Sequence, residues 1–291
     1  MPQRETAEVQ NLPPAHKSRD QKVVLEELES LIGLEKVKDL IYEIYAFAEV
    51  QKKREKAGLS AEKVVLHMIF KGNPGTGKTT IARILGRLLY NAGILEKGHV
   101  VEVERADLVG EYIGHTAQRT REQIKKAQGG ILFIDEAYSL SRGGEKDFGK
   151  ECIDCIVKAM EDHAKETVFI LAGYPAEMEE FLRTNPGLRS RFPIHLEFPD
   201  YTVGELTQIA ELMLRKREYR LSEDAKSLLE DIIREKKARE IVPSNARMVR
   251  NLIEKAIRRQ AVRLIRDGAF TKQDLMTITA RELLEASIYL V

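Results

Sequence analysis

The segment Gly72-Asn73-Pro74-Gly75-Thr76-Gly77-Lys78-Thr79 restricts what this chain can fold into more than any other. It is a full G-x-x-x-x-G-K-[ST] pattern, placed between a short apolar run, Leu66–Phe70, and an amphipathic stretch, Lys78–Asn91. That setting, a turn from strand to helix, is the one in which the pattern has chemical meaning. Glycines let successive backbone N–H groups curl around an anion, and the helix N-terminus adds a favourable dipole. Lys78 is expected to reach the β- and γ-phosphates of a nucleotide, and Thr79 to offer its hydroxyl to Mg²⁺. A plain glycine-rich turn would not be flanked in this way.

A second element complements the first. Ile131-Leu132-Phe133-Ile134 reads as a strand buried on both faces, and it ends in Asp135-Glu136. Asp135 is expected beside the phosphate loop, where a carboxylate can hold Mg²⁺ through its water shell. Glu136 is placed to activate an attacking water as general base. Adjacent carboxylates argue for hydrolysis of the nucleotide rather than phosphorylation of a small molecule. The sequence has no Asn-Lys-x-Asp element to read guanine, so ATP is preferred to GTP.

Further short apolar runs, Val100–Val103, Val168–Ala172 and Ile194–Phe198, alternate with the amphipathic stretches Thr116–Ala127, Phe148–His163 and Ala176–Asn185. The alternation predicts an α/β domain: a five-stranded parallel sheet with helices on both faces. Upstream, Val37, Leu40, Ile41, Ile44, Tyr45 and Ala48 form one helix face, closed by Gly58. After Pro199-Asp200 the strand signals stop, and 203–219, 222–237 and 245–266 read as helices. The expected organisation is a flexible tail over 1–20, a nucleotide-binding α/β domain over 21–200, and a small all-helical lid over 201–291.

Composition excludes several classes. With 43% hydrophobic residues the chain is not disordered throughout, and no apolar run approaches the length of a membrane span. The polar, proline-containing N-terminus is not a secretory leader. Cys152 and Cys155 cannot make a disulfide framework, and a zinc site would need two more ligands; they read as core or half-buried thiols in a cytoplasmic protein. Lys and Arg number 47 against 46 Asp and Glu, which is not the basic surface that nucleic-acid binding requires.

The chain also resembles the AAA+ ATPases, over almost all of its length after the tail. The stretches that carry the likeness are Phe70–Thr80, Glu104–Thr116 and Asn185–Pro193, with Leu31-Ile32-Gly33-Leu34 before them and Ser244-Asn245-Ala246-Arg247 after. Within that family it looks most like the subgroup of a bacterial sporulation ATPase and the red-type Rubisco activases. The resemblance implies a ring, usually of six copies, with ATP and Mg²⁺ at each interface. It places Ile32 and Gly33 in the adenine pocket, where a glycine lets the backbone approach the base. It assigns Asn73, Pro74, Gly75, Thr76, Gly77, Lys78, Thr79 and Thr80 to the phosphates. Arg191, with Arg189 as the alternative, would enter the neighbouring subunit's site and neutralise charge on the γ-phosphate. Arg247 would sense the γ-phosphate from the lid, with Arg250 its competitor one turn along. Many relatives end the strand at Val168–Ala172 in Asn or Thr; here Gly173-Tyr174-Pro175 follows, and Tyr174 is the candidate replacement for that first sensor. Tyr112-Ile113-Gly114 is similar to the aromatic–aliphatic–glycine pore loop of protein remodellers, so Tyr112 and Ile113 would contact a client protein. Residues 141–146 read either as a second pore loop or as a mobile connection. The implied function is an ATP-driven protein-remodelling motor serving bacterial sporulation. The alternatives are a slow ATP-gated scaffold and a motor acting on nucleic acid, and the latter would want basic pore residues.

Overall fold

The computed structural model describes residues 15–61, 65–112, 114–142, 148–162, 166–239 and 243–288, with side chains from Asp20 onward. Two helices lead in, α1 (Ala15–Glu29) and α2 (Glu35–Lys56). The α/β unit then runs β1 (Met68–Gly72), α3 (Lys78–Asn91), β2 (Val100–Val103), α4 (Arg105–Leu108), α5 (His115–Ala127), β3 (Ile131–Ile134), a 3-10 turn Ala137–Ser141, α6 (Gly149–Asp162), β4 (Val168–Gly173), α7 (Pro175–Thr184), α8 (Pro186–Arg191) and β5 (Ile194–Phe198). The lid follows as α9 (Val203–Arg215), β6 (Arg220–Leu221), α10 (Glu223–Arg239), α11 (Asn245–Asp267), α12 (Lys272–Met276), β7 (Thr277–Ile278) and α13 (Ala280–Ser287).

The five strands of the main sheet are parallel and lie in the order β2-β3-β4-β1-β5. Strands β1, β3 and β4 are buried at every position, as their unbroken apolar runs require of strands covered on both faces. Side chains alternate between two cores with the period of a strand. Phe70, Phe133 and Ile170 pack on one face with α3, whereas Ile69, Leu132, Ile134 and Phe169 pack on the other with α6. The first of these cores also takes in buried residues of the lid, Leu206 and Leu214 of α9 and Leu252 and Ile253 of α11, although no lid helix lies broadly against the sheet or its helices. Strand β4 lies between β1 and β3, so the loop after β1 and the acidic end of β3 flank the carboxyl end of β4. In parallel sheets that edge is where ligands bind.

The structure departs from two details of the sequence reading and adds a short helix that it did not foresee. Helix α1 begins at Ala15, inside the segment read as a tail. The lid is not wholly helical: β6 and β7 pair in parallel, Arg220 with Thr277 and Leu221 with Ile278. Leu221 and Ile278 are both buried, but two residues are too few to show a period in the sequence. The stretch after Asn185 is a helix, because Pro186 is well suited to a first helical turn and opens α8. No helix among the described residues is long and apolar enough to cross a membrane.

Candidate nucleotide site

Strand β1 ends at Gly72, and the loop that follows is shaped by its glycines. Gly75 and Gly77 adopt φ of +72° and +99°, where a side chain would strain the backbone. A Cβ on Gly72 would lie 2.6 Å from the Phe198 carbonyl oxygen, and one on Gly75 would lie 2.4 Å from that of Ser244. The loop is therefore pressed between β5 and the lid. Thr76 Oγ1 donates to the Asn73 carbonyl at 2.8 Å and closes the turn. Lys78 Nζ lies over it, donating to the carbonyls of Gly72 and Asn73 at 2.8 and 2.9 Å. Burial lowers its pKa; Asp135 opposes that shift, and the positive charge of Arg247 reinforces it.

At the end of β3, Asp135 Oδ1 accepts from the Glu136 N–H at 3.0 Å. Glu136 stands at φ 46°, a left-handed conformation that costs a non-glycine residue about 1 kcal/mol or more. Both carboxylates line a cleft of about 370 Å³ together with Lys78, Thr79 and Thr80. Tyr174, at the end of β4, lines the same cleft, and its ring pairs with the buried Tyr138 at 5.8 Å between centroids. Burial and the nearby Glu136 raise the pKa of the Tyr138 hydroxyl, and the Arg142 guanidinium lies 4.6 Å from its ring centre.

The apolar end of the cleft comes from two elements. Leu31, Ile32 and Leu34 line it from the turn before α2, and Ile209, Leu212 and Met213 of α9 line it from the lid. Gly33 has φ +63°, a conformation that strains any other residue, but unlike Leu31, Ile32 and Leu34 it does not line the cleft; its near neighbour is Glu205 of α9. Arg247 and Arg250 of α11 both line the cleft. Its polar end has an oxygen donor set suited to Mg²⁺, the Thr79 hydroxyl and the Asp135 carboxylate. Among the described residues no group of three or more His, Cys, Asp or Glu could hold a metal unaided. That fits a cation which completes its shell with phosphate oxygens and water.

Other residues singled out from the sequence lie elsewhere. Arg189 and Arg191 of α8 do not line the cleft. Arg191 Nη2 pairs with Glu161 at 2.6 Å, and its Nη1 donates to the Gly187 carbonyl at 2.9 Å; Arg189 is exposed. Tyr112 stands on the connection between α4 and α5, 66% exposed, with its ring 5.4 Å from that of His115. It is not folded back on the core. Ile113 and most of the segment 141–146 lie outside the described residues. Cys152 is buried, and burial pushes its thiol up to about 12, which removes it as a nucleophile at neutral pH.

Two residues of the site carry no signal of their own in the sequence. Tyr201 is buried, and its hydroxyl donates to the Thr76 carbonyl at 3.2 Å from the start of the lid. Asn245, quoted within Ser244-Asn245-Ala246-Arg247 but given no role there, bonds the lid to the phosphate loop.

Residues 68–200 match the family described as "ATPase family associated with various cellular activities (AAA)", and residues 202–287 match the AAA lid domain. Stage V sporulation protein K of Bacillus subtilis (strain 168) is 56% identical over 264 residues, covering 90% of this chain and 82% of that protein. The chloroplastic ribulose bisphosphate carboxylase/oxygenase activase of Cyanidioschyzon merolae (strain NIES-3377 / 10D) is 43% identical over 283 residues, 96% of either chain. Among solved structures, the FIGL-1 AAA domain in complex with ADP superposes with a TM-score of 0.60 at 20% identity, covering 93% of this chain and 90% of that one. At that identity the likeness concerns the fold alone.

Proposed function

Because the chain belongs to the AAA ATPase family, we propose that it hydrolyses ATP with Mg²⁺ at the interfaces of a hexameric ring of its own copies and uses turnover to remodel a protein client. The loop N–H groups and Lys78 hold the phosphates. Thr79 and Asp135 would hold the Mg²⁺, which neutralises phosphate charge when bound. Glu136 takes the proton of the attacking water. Arg191 of the partner subunit, or failing it Arg189, stabilises the charge that develops on the γ-phosphate. To do so Arg191 must exchange Glu161 for that phosphate. Arg247 reports the γ-phosphate to the lid, and Tyr174 stands where a first sensor would. A relative named as the activase of an enzyme supports a protein client. The likeness to a sporulation protein supports bacterial sporulation, in the cytoplasm, as the setting.

The observation that carries the client reading is Tyr112. A large aromatic ring, 66% exposed, sits between Gly110 and Gly114 and away from the nucleotide cleft. An aromatic surface grips extended polypeptide by contact area rather than by sequence. Tyr112→Ala is expected to keep the melting temperature and basal ATPase and to lose stimulation by an unfolded protein, while Tyr112→Phe keeps all three. A variant that melts early and loses every activity together would mean that Tyr112 supports the fold, at the about 3–5 kcal/mol of a truncated core aromatic. Stimulation by single-stranded DNA instead of unfolded protein would transfer the motor to nucleic acid.

A further inference from the structure

Asn245 opens α11 two residues before Arg247, and its side chain lies at the meeting point of three backbone segments. It is 2% exposed. Its Oδ1 accepts the Tyr201 N–H at 3.0 Å. Its Nδ2 donates to Asp200 Oδ1 at 2.7 Å and also faces the carbonyls of Pro74 at 3.3 Å and Pro243 at 3.2 Å. Asp200 is shared, because Asn73 Nδ2 reaches both of its oxygens at 3.0 Å. The next peptide adds a direct bond from the Ala246 N–H to the Gly75 carbonyl at 3.2 Å.

The residue type follows from these demands. The position needs a short side chain with a donor and an acceptor, and a backbone at φ 49°. Asparagine supplies both groups and tolerates the left-handed region better than other side chains. The bonds to the Pro74 and Gly75 carbonyls, and the link through Asp200 to Asn73, tie the start of α11 to residues 73–75, the loop read as holding the phosphates, while the Tyr201 N–H fixes the same amide to the beginning of the lid. There is no slack in the contact: a Cβ on Gly75 would come within 2.7 Å of the Arg247 backbone nitrogen. A shift of the loop backbone therefore moves Arg247 with it.

We infer that Asn245 is the positioning residue that sets Arg247 against the phosphate loop, with Asp200 as the carboxylate that joins Asn245 to Asn73. Asn245 acts only through Arg247 and through the register of lid and loop. The inference rests on the proposed role of Arg247 at the γ-phosphate.

The test compares Arg247→Ala, Asn245→Gly and the double variant for kcat, for affinity toward a fluorescent ATP analogue, and for melting temperature. Glycine tolerates the left-handed backbone, so this substitution removes the side chain alone. Asn245→Gly is expected to lower kcat about tenfold, as a misplaced catalytic group does, with analogue affinity within about threefold of wild type. The double variant is expected to be no slower than Arg247→Ala, because the two residues act as one unit. Unchanged kcat in Asn245→Gly, or losses that multiply in the double variant while Arg247→Ala is itself impaired, would overturn the inference alone. Wild-type turnover in Arg247→Ala would remove the premise and the inference with it. If Asn245→Gly does not fold, Asp200→Ala at an exposed position takes its place with the same expected and overturning results.

Discussion

Glu136 is held in a conformation its residue type disfavours, and its carboxylate lines the cleft beside Asp135. A strained backbone is retained where the direction of the side chain matters more than its comfort. Glu136→Gln keeps the shape and removes the base, so it should bind ATP as before and lose at least about a hundredfold in kcat. Nucleotide binding and phosphate release measured on the same sample check this, and near-wild-type hydrolysis would withdraw the base assignment. The place of this residue beside the phosphate loop was legible in the sequence, since two carboxylates after an apolar strand are a local signal. The role of Asn245 was not. Its partners Pro74, Asp200 and Tyr201 are far away in the chain, and only folding brings a carbonyl, a carboxylate and an N–H group to one amide.

Among the elements, α3 carries an interior glycine, Gly86. Read from sequence alone it is a weak point, worth about 1 kcal/mol against alanine. The structure supplies the reason for it: a Cβ there would lie 2.4 Å from the Gly98 carbonyl oxygen, and Gly98 itself needs φ +67°. Backbone meets backbone, so no side chain can swing aside. Gly86→Ala should therefore destabilise by about 1–3 kcal/mol, as overpacking does, and a thermal melt decides the sign. A gain in melting temperature would show that the turn before β2 yields. The long elements were readable because their apolar periods run over many residues. Helix α4, helix α12 and the β6–β7 pair escaped because four, five and two residues give a period no room. What stabilises α4 and α12 is local capping, Glu104 with Asp107 and Thr271 with Asp274.

For the molecule as a whole, one subunit does not hold every group that the proposed reaction asks for. Lys78, Asp135, Glu136 and Arg247 line one cleft, whereas Arg189 and Arg191 do not reach it. If the arginine comes from a neighbour, a mixture of Arg191→Ala and Glu136→Gln subunits should hydrolyse ATP faster than either variant alone, at interfaces where an intact Arg191 meets an intact Glu136. Steady-state ATPase across mixing ratios, with mixed rings verified, reads this out. No recovery at any ratio would pass the role to Arg189 or end the trans mechanism. The sequence divided the chain where strand signals stop at Pro199-Asp200, but it had no means of showing that one apolar core crosses that line. Phe70 of the sheet and Leu252 of the lid belong to the same cluster, yet no lid helix lies broadly against a strand or helix of the α/β unit, so the two parts meet through a narrow seam. What has to match across the seam is a handful of single bonds, Tyr201 to Thr76, Asn245 to Pro74 and Ala246 to Gly75, so the lid is hung on a few pins rather than set in a socket.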